Sequence, residues 1–244
     1  MTTEPHDRTI AKRTAQGKTG SVPVPAATVI LLRDGDDGVE VLMLRRNSKI
    51  AFGGMWVFPG GKVDPEDSTD HDPGDDQAIA RTAAVREAGE EAGVALRTDD
   101  LLPFSHWTPP AVTPRRFITW FFVAASPSSH IVIDDGEIHE HQWMPATVAL
   151  ERRDAMEIEL APPTWVSLHE LSAWASVDEA LGAVRAREPE RFETRIALEN
   201  DQLIALWHGD AGWVSGDSTV PGDRHRLHMR GDGWRYERSG RTGR

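Results

Sequence analysis

The sequence predicts a mixed α/β protein, and three observations support that prediction. Apolar, β-branched runs at residues 24–32 and 39–44 flank the turn-rich segment 34–38, a pattern typical of two strands joined by a turn. The run at 116–126 is apolar nearly throughout and predicts a central strand that is covered on both faces. Residues 86–94 carry carboxylates at helical spacing, which predicts that the chain combines its strands with helices.

The remaining elements follow from the same kinds of signal. Residues 1–22 mix polar residues without apolar periodicity and predict a disordered tail. Pro145 can open a helix at its first position, and Ser176 is a natural N-cap for another helix. The other predicted elements are strands at 52–58, 103–110, 194–207 and 225–238, and helices at 146–156, 161–174 and 176–187.

The composition excludes several classes of protein. With 27 basic and 39 acidic residues, the formal charge is −12, which opposes binding to a polyanion and predicts no nucleic-acid partner. The chain contains no cysteine, so disulfides and thiolate metal sites are excluded. No stretch approaches the roughly 18 apolar residues of a membrane span, and the polar N-terminus lacks a signal-peptide core. We therefore expect a soluble, cytoplasmic protein without a membrane partner.

Acidic residues concentrate in the run REAGEEAGV at 86–94. On a helix, Glu87, Glu90 and Glu91 stand at i, i+3 and i+4, so three carboxylates project from one arc. Arg86 flanks that arc, but one guanidinium cannot neutralise three acids. Mg²⁺ or Mn²⁺ can, because these hard cations take oxygen ligands and leave positions open for water and phosphate. The alternative for this run alone is a solvated acidic helix face.

A glycine turn precedes that helix, in the segment FPGGKVD at 58–64. Two glycines after a proline allow the backbone to approach a ligand closely, and the Gly61 carbonyl could supply another oxygen to a metal. Together the two segments resemble the Nudix box, G-x5-E-x7-R-E-U-x-E-E-x-G-U, in which U is a bulky aliphatic residue. Gly61 takes the first position of this pattern, and residues 86–94 take the last nine.

The chain departs from the Nudix pattern at three points. Asp67 stands where the pattern has its first glutamate, and eighteen residues rather than seven separate it from Arg86. The eleven extra residues, roughly 68–78, are rich in Asp, Gly and Pro and predict a loop. Ala88 replaces the bulky aliphatic residue. We expect the loop to contribute to substrate access or to contacts in a homodimer.

The resemblance extends beyond the box to segments such as HWTPPAVTPRRFITWFF and APPTWVSLHEL, over about residues 24–225. It is to the long-insert Nudix branch that includes peroxisomal acyl-coenzyme A diphosphatases. This resemblance implies an α/β/α sandwich around a mixed sheet, with a Nudix domain at 23–155 and a helical and short-strand extension at 156–244. The lead into the glycine turn, IAFGGMWV, differs from the LxxHxGE-like segment that is usual in coenzyme A-hydrolysing members.

The resemblance also implies a role for each residue of the box. Glu90 and Glu91 are the principal ligands of Mg²⁺ or Mn²⁺, and Glu87 is a ligand or the general base. The Gly61 carbonyl is an additional ligand. Arg86 orients the glutamates.

Residues outside the box complete the predicted site. Glu137 lies ahead of a tryptophan at the distance at which Nudix-like enzymes place a base or an extra metal ligand, and Glu140 is the second choice. Two arginine pairs stand at predicted strand ends, where phosphate contact and simple surface placement are both open. These candidate substrate-binding residues are Arg45, Arg46, Arg115 and Arg116.

The implied reaction is hydrolysis of a small-molecule diphosphate that links a nucleoside to another group. Coenzyme A or acyl-coenzyme A is the first substrate class, and ADP-ribose or another nucleotide sugar is the alternative. A Nudix-fold module that senses a nucleotide without cleaving it would be expected to have lost an acid of the site. A protein that acts through contacts of its C-terminal segment is a third alternative.

Overall fold

The computed structural model describes residues 6–47, 53–128, 130–133, 136–200, 202–231 and 233–240. The chain divides into two compact units, and each is described here by itself. The larger unit comprises Pro25–His106 and Thr119–Glu190. The smaller unit comprises Met1–Val24, Trp107–Ile118 and Arg191–Arg244.

The described residues form five α-helices and twelve strands. The helices are α1 (His6–Ala15), α2 (Asp76–Ala92), α3 (Ala146–Asp154), α4 (Pro162–Leu171) and α5 (Val177–Arg185). The strands are β1 (Val24–Gly35), β2 (Gly38–Arg46), β3 (Trp56–Val57), β4 (Gly60–Lys62), β5 (Leu102–Thr108), β6 (Phe117–Ala125), β7 (Ile138–Pro145), β8 (Glu190–Glu193), β9 (Arg195–Glu199), β10 (Gln202–Leu206), β11 (His225–Arg230) and β12 (Gly233–Arg238).

The larger unit is built on a mixed sheet in which β1 is central. β1 and β2 form the predicted antiparallel hairpin, and the turn between them uses Gly38 at a φ of 108°, which favours glycine. The strand order is β3-β2-β1-β6-β5, with β4 also pairing β1 and β7 also pairing β2. β6 runs parallel to β1, because Val24 N–H donates to the Arg116 carbonyl at one end and Ser126 N–H to the Leu32 carbonyl at the other.

Both faces of this sheet are covered. On one face, Val29 and Leu31 of β1 and Phe122 of β6 pack in a buried cluster with alanines of α2. The alternate residues Ile30 and Leu32 are fully buried as well, as expected for a strand between two layers. The prediction that 116–126 is a central, buried strand is confirmed for β6.

All the predicted helices are present, with small differences at their ends. Pro145 is the residue before α3 rather than its first residue. Ser176 caps α5 as predicted, since its hydroxyl accepts the Glu179 N–H at 3.2 Å. The predicted strand 52–58 is reduced to the two residues of β3, and Phe52 lies outside the described residues.

The insertion at 68–78 is only partly a loop. Asp76 already begins α2, and a 3-10 turn occupies Pro65–Ser68. His71 ties the remaining loop to the helix, because its Nε2 lies 2.8 Å from the Thr82 hydroxyl. The insertion therefore lengthens the helix at its N-terminal end as well as the connection that leads into it.

The smaller unit contains an antiparallel sheet in the order β12-β11-β10-β9. Trp107 stacks on Phe192 with ring centroids 3.8 Å apart, and Trp207 meets both rings edge-on. Asp210 and Arg226 form a buried ion pair with two bonds of 2.7 Å. Burial alone would raise the pKa of Asp210, but the hydrogen bonds from Arg226 and from backbone N–H groups outweigh it and lower the pKa.

The structure differs from two predictions about domain organisation. Residues 6–15 form helix α1 rather than part of a disordered tail, whereas residues 1–5 lie outside the described residues. The predicted extension 156–244 is divided between the two units, because α4 and α5 belong to the larger unit and β9–β12 to the smaller one. Across the described residues, no helix is both long enough and apolar enough to span a membrane.

Candidate active site

The last turns of α2 carry the predicted acids, and both ends of the helix are fixed. Asp75 caps the start by accepting the Ala78 N–H at 3.0 Å. At the end, Gly93 adopts a left-handed conformation with a φ of 65°. The N–H groups of Gly93 and Val94 then bond back to carbonyls of the last turns, which is a typical glycine helix stop.

Arg86 holds α2 to the segment that follows β4. Its Nε and Nη2 donate to the two carboxylate oxygens of Asp67 at 3.1 and 2.9 Å, and Nη2 also donates to the Lys62 carbonyl at 3.0 Å. Asp67 is almost completely buried. Burial would raise its pKa, but the bonds from Arg86 and from the Asp64 N–H prevail and lower it. This paired, planar contact fixes the guanidinium in one orientation.

The same guanidinium reaches two acids of the predicted site. Arg86 Nη1 lies 3.0 Å from Glu87 Oε1 and 3.0 Å from Glu90 Oε2. The pKa of Glu87 is raised, because the cost of burial exceeds the stabilisation from Arg86. The side chain of Glu90 is 59% exposed, so it remains accessible. Arg86 therefore contacts both Glu87 and Glu90, and the role of orienting them stays a prediction.

Gly61 lies directly against the Glu87 carboxylate. A Cβ atom added to Gly61 would collide with the carboxylate carbon and both oxygens of Glu87. The backbone of β4 can approach the helix this closely because position 61 has no side chain. The absence of a side chain brings the peptide of Gly61, the predicted carbonyl ligand, close to the acids.

Glu91 is the most deeply buried of the three acids. Its Oε2 accepts the Gly60 N–H at 2.8 Å, and its Oε1 accepts from Arg46 Nη2 at 3.0 Å. Burial raises the pKa of Glu91 to about 7, against the opposing effects of Arg46 and the Gly60 N–H, and the charges of Glu87 and Glu137 raise it further. A further positive charge beside Glu91 would therefore stabilise the ionised form of its carboxylate.

Glu137 joins the site through Arg46. It stands just before β7, and its Oε2 accepts from Arg46 Nη2 at 2.9 Å. Glu140, the second choice, instead lies 3.4 Å from Arg45 in a half-exposed pair. The structure thus brings Glu137 and not Glu140 to the acids of α2.

The four predicted substrate arginines lie in different surroundings. Arg46 is paired with acids of the site, and Arg45 is exposed beside Glu140. Arg115 and Arg116 belong to the smaller unit, where Arg115 is exposed. Arg116 lines a cavity of about 370 Å³, donates to the Pro109 carbonyl at 3.2 Å, and has a buried Nε with no partner among the described residues.

The donor set fits an oxygen-liganded divalent cation. Six carboxylates share the guanidinium groups of Arg46 and Arg86, and burial leaves two of those carboxylates with raised pKa values. Oxygen donors of this kind suit Mg²⁺ or Mn²⁺. As arranged, no three acidic or histidine side chains of the described residues converge on one point. A bound ion would therefore replace contacts that the arginines now make.

Sequence reasoning missed two parts of this site. Asp67 departs from the box and was not given a role, and the structure pairs it with Arg86. The Gly60 N–H, which binds Glu91, left no sequence signal beyond the glycine pair. Both groups contact residues of the predicted site.

Residues 22–164 match the NUDIX domain family, which is more than half of the chain. The chain belongs to the NUDIX family. This result confirms the resemblance carried by the box, and the matched range begins close to the predicted start of the domain at residue 23. The acyl-coenzyme A diphosphatase branch remains a prediction.

Two curated relatives and one solved structure show how far the similarity extends. A Caenorhabditis elegans protein, whose name gives nudix hydrolase 7 as a provisional assignment, is 28% identical over 170 residues, covering 54% of this chain and 56% of that protein. The CTP pyrophosphohydrolase of Escherichia coli strain K12 is 27% identical over 139 residues, covering 57% of this chain and 84% of that protein. The chain thus spans little more than half the length of the first relative.

The crystal structure of a NUDIX hydrolase from Alicyclobacillus acidocaldarius matches with a TM-score of 0.60 and 24% identity. The match covers 66% of this chain and 96% of that one. At this identity the match shows the fold, and it confirms the predicted α/β sandwich around a mixed sheet.

Because the Gly61 backbone lies against the Glu87 carboxylate, a methyl group added at position 61 should disturb the site. Gly61→Ala should displace the Glu87 carboxylate and reduce turnover, because the added Cβ would overlap it. Gly89→Ala is the matched control on α2, the helix that carries Glu87. A Cβ at position 89 meets nothing within 4 Å and should stabilise the helix by about 1 kcal/mol. Steady-state kinetics and thermal unfolding of both variants test this. Equal turnover in the two variants would contradict the proposed geometry.

Proposed function

We propose that this protein is a metal-dependent hydrolase of a diphosphate that links a nucleoside to another group. The observation that carries the proposal is the crowding of Glu87, Glu90 and Glu91 at the end of α2, against the glycine pair of β4. These carboxylates carry more negative charge than their two arginines neutralise. Membership of the NUDIX family supports the same chemistry.

In this proposal, each residue of the site has a distinct role. Glu87, Glu90 and Glu91, with the carbonyl of Gly61, hold Mg²⁺ or Mn²⁺. When bound, such an ion supplies positive charge to phosphate oxygens and lowers the barrier to attack by water. Arg86 keeps Glu87 and Glu90 in a fixed orientation through its own anchor on Asp67.

Hydrolysis also needs a group that accepts the proton of the attacking water. Water adds to one phosphorus, the bond to the bridging oxygen breaks, and two phosphate monoesters leave. Glu137 and Glu87 are the candidates for that base, since both are carboxylates at the site and the pKa of Glu87 is already raised. A raised pKa brings a carboxylate closer to the value that suits a general base at neutral pH.

Coenzyme A or acyl-coenzyme A is the first substrate class that we propose. Coenzyme A carries a 3′-phosphate that ADP-ribose lacks, so an enzyme that selects it requires an additional cation. The predicted substrate arginines, Arg45, Arg46, Arg115 and Arg116, are the candidates for this contact, and within the smaller unit Arg116 lines a cavity. ADP-ribose or a nucleotide sugar is the alternative. Because one relative is a CTP pyrophosphohydrolase, CTP is tested as a further substrate.

A nucleotide-sensing module is the competing function. Such a module would not need an intact set of metal-binding acids, whereas all three acids of the box are present here. The orienting contacts of Arg86 and the Gly60 N–H are also in place. These features favour an enzyme over a sensor.

Removing one charge from the site should abolish most of the activity. Glu90→Gln and Glu91→Gln preserve shape but weaken the hold on the cation, so turnover should fall by about a hundredfold or more. Glu151→Gln, an exposed change on α3, is the matched control. Turnover is measured with Mn²⁺ and with excess chelator, and folding by circular dichroism. Full activity in chelator, or in both site variants, would refute the metal mechanism.

The substrate class can be decided by identifying products. Coenzyme A should yield 4′-phosphopantetheine and adenosine 3′,5′-bisphosphate, whereas ADP-ribose should yield AMP and ribose 5-phosphate. We expect coenzyme A compounds to be cleaved. Arg116→Ala should raise the KM for coenzyme A more than the KM for ADP-ribose. Arg185→Ala, which changes an exposed arginine of α5 without a predicted role, is the control. If coenzyme A stays intact while an ADP-sugar is cleaved, the proposed coenzyme A substrate class is wrong, but the proposed diphosphate hydrolysis still holds.

A further inference from the structure

Arg46 lies between two carboxylates that come from different parts of the chain. Its Nη2 donates to Glu91 of α2 at 3.0 Å and to Glu137, just before β7, at 2.9 Å. The side chain of Arg46 is 15% exposed and that of Glu91 only 5%. One nitrogen thus bridges two acids that would otherwise repel each other at short range.

An irregularity in strand pairing directs Arg46 into this position. β2 and β7 pair in regular register up to Arg45 and Glu140, and the register then shifts so that Arg46 faces Ile138. Such bulges change the direction of a side chain, often beside functional sites. Arg45 consequently forms a half-exposed pair at the surface, whereas Arg46 reaches Glu91 and Glu137.

Arg46 is held less firmly than Arg86. Arg86 has a paired bond to Asp67 and another to the Lys62 carbonyl, so several bonds fix its guanidinium apart from those to the site acids. For Arg46, the Nε is buried without a hydrogen-bond partner among the described residues, and its two bonds come from Nη2 alone. Apart from its bond to Glu137, the guanidinium of Arg46 therefore has no other side-chain hydrogen bond among the described residues to break when it leaves Glu91.

We propose that Arg46 is a place-holding counter-ion that competes with the catalytic cation for Glu91 and Glu137. The inference rests on the proposed function, because it assumes that the acids of α2 bind a divalent ion. Arg46 would keep the acids together in the metal-free protein and would give up Glu91 when the ion binds. It acts as a positioning residue, and it sets how tightly the metal is held.

This competition has a thermodynamic consequence. Each ion that binds must replace an ion pair that already stabilises the metal-free site, so the observed affinity is lower than that of the bare carboxylates. Removing Arg46 should strengthen metal binding and destabilise the metal-free protein. If Arg46 simply supported the ligands, its removal would weaken metal binding.

The test compares Mn²⁺ affinity in variants of the full-length protein, measured at one fixed pH by calorimetry and by the electron paramagnetic resonance signal of free Mn²⁺. Arg46→Gln should bind Mn²⁺ about tenfold more tightly than the unmodified protein, on the order of one partly buried ion pair. Arg46→Lys keeps a positive charge within reach and should restore nearly the original affinity. Arg45→Gln is the matched control for loss of a nearby positive charge.

A second readout is thermal unfolding with and without Mn²⁺. The rise in Tm on adding Mn²⁺ should be larger for Arg46→Gln than for the unmodified protein, and should be unchanged for Arg45→Gln. Equal or weaker Mn²⁺ binding by Arg46→Gln, or an equal gain in both glutamine variants, would overturn the competition while leaving the proposed hydrolase intact. If the unmodified protein and all variants fail to bind Mn²⁺, both proposals fall.

Discussion

Carboxylates that leave water must gain positive partners, and the arrangement of the larger unit depends on how that requirement is met. Asp67 is buried and could not remain ionised there without Arg86, which binds it through two nitrogens. The same guanidinium reaches Glu87 and Glu90, so one buried ion pair fixes the end of α2 relative to the segment after β4. The Arg86–Asp67 pair thus lies directly beside the acids of the site.

The balance of charge also explains why the site suits a cation. Arg86 and Arg46 neutralise only part of the local negative charge, and the pKa of Glu91 rises to about 7 because its burial is incompletely compensated. A protein designed for stability alone would avoid such crowding, since unpaired buried charge is costly. Crowding of this kind is characteristic of sites where a metal or an anionic substrate completes the charge balance.

The sequence predicted the parts of this site that depend on local spacing. The arc of three acids and the hairpin of β1 and β2 both follow from residues that are near neighbours in the chain. A close backbone approach at Gly61 was also predicted, because a glycine pair has no side chains that would prevent it. These features follow from the sequence because helix and turn geometry is set locally.

The remaining features depend on contacts between distant residues. The partners of Arg46 are fixed by a register shift against β7, which lies about ninety residues further along the chain, and no local pattern signals that shift. Helix α1 was missed because its residues show no clear apolar periodicity. The division into two units was missed because each unit draws on separate stretches of the chain.

The position of Mn²⁺ in a crystal of the protein, located by its anomalous scattering, tests the proposed metal site most directly. We expect a peak at about 2.1 Å from carboxylate oxygens of at least two of Glu87, Glu90 and Glu91, the distance typical of small divalent ions such as Mg²⁺. The carbonyl of Gly61 should lie in the same coordination sphere. A Mn²⁺ peak bound elsewhere, with these three side chains still held by their arginines, would contradict it.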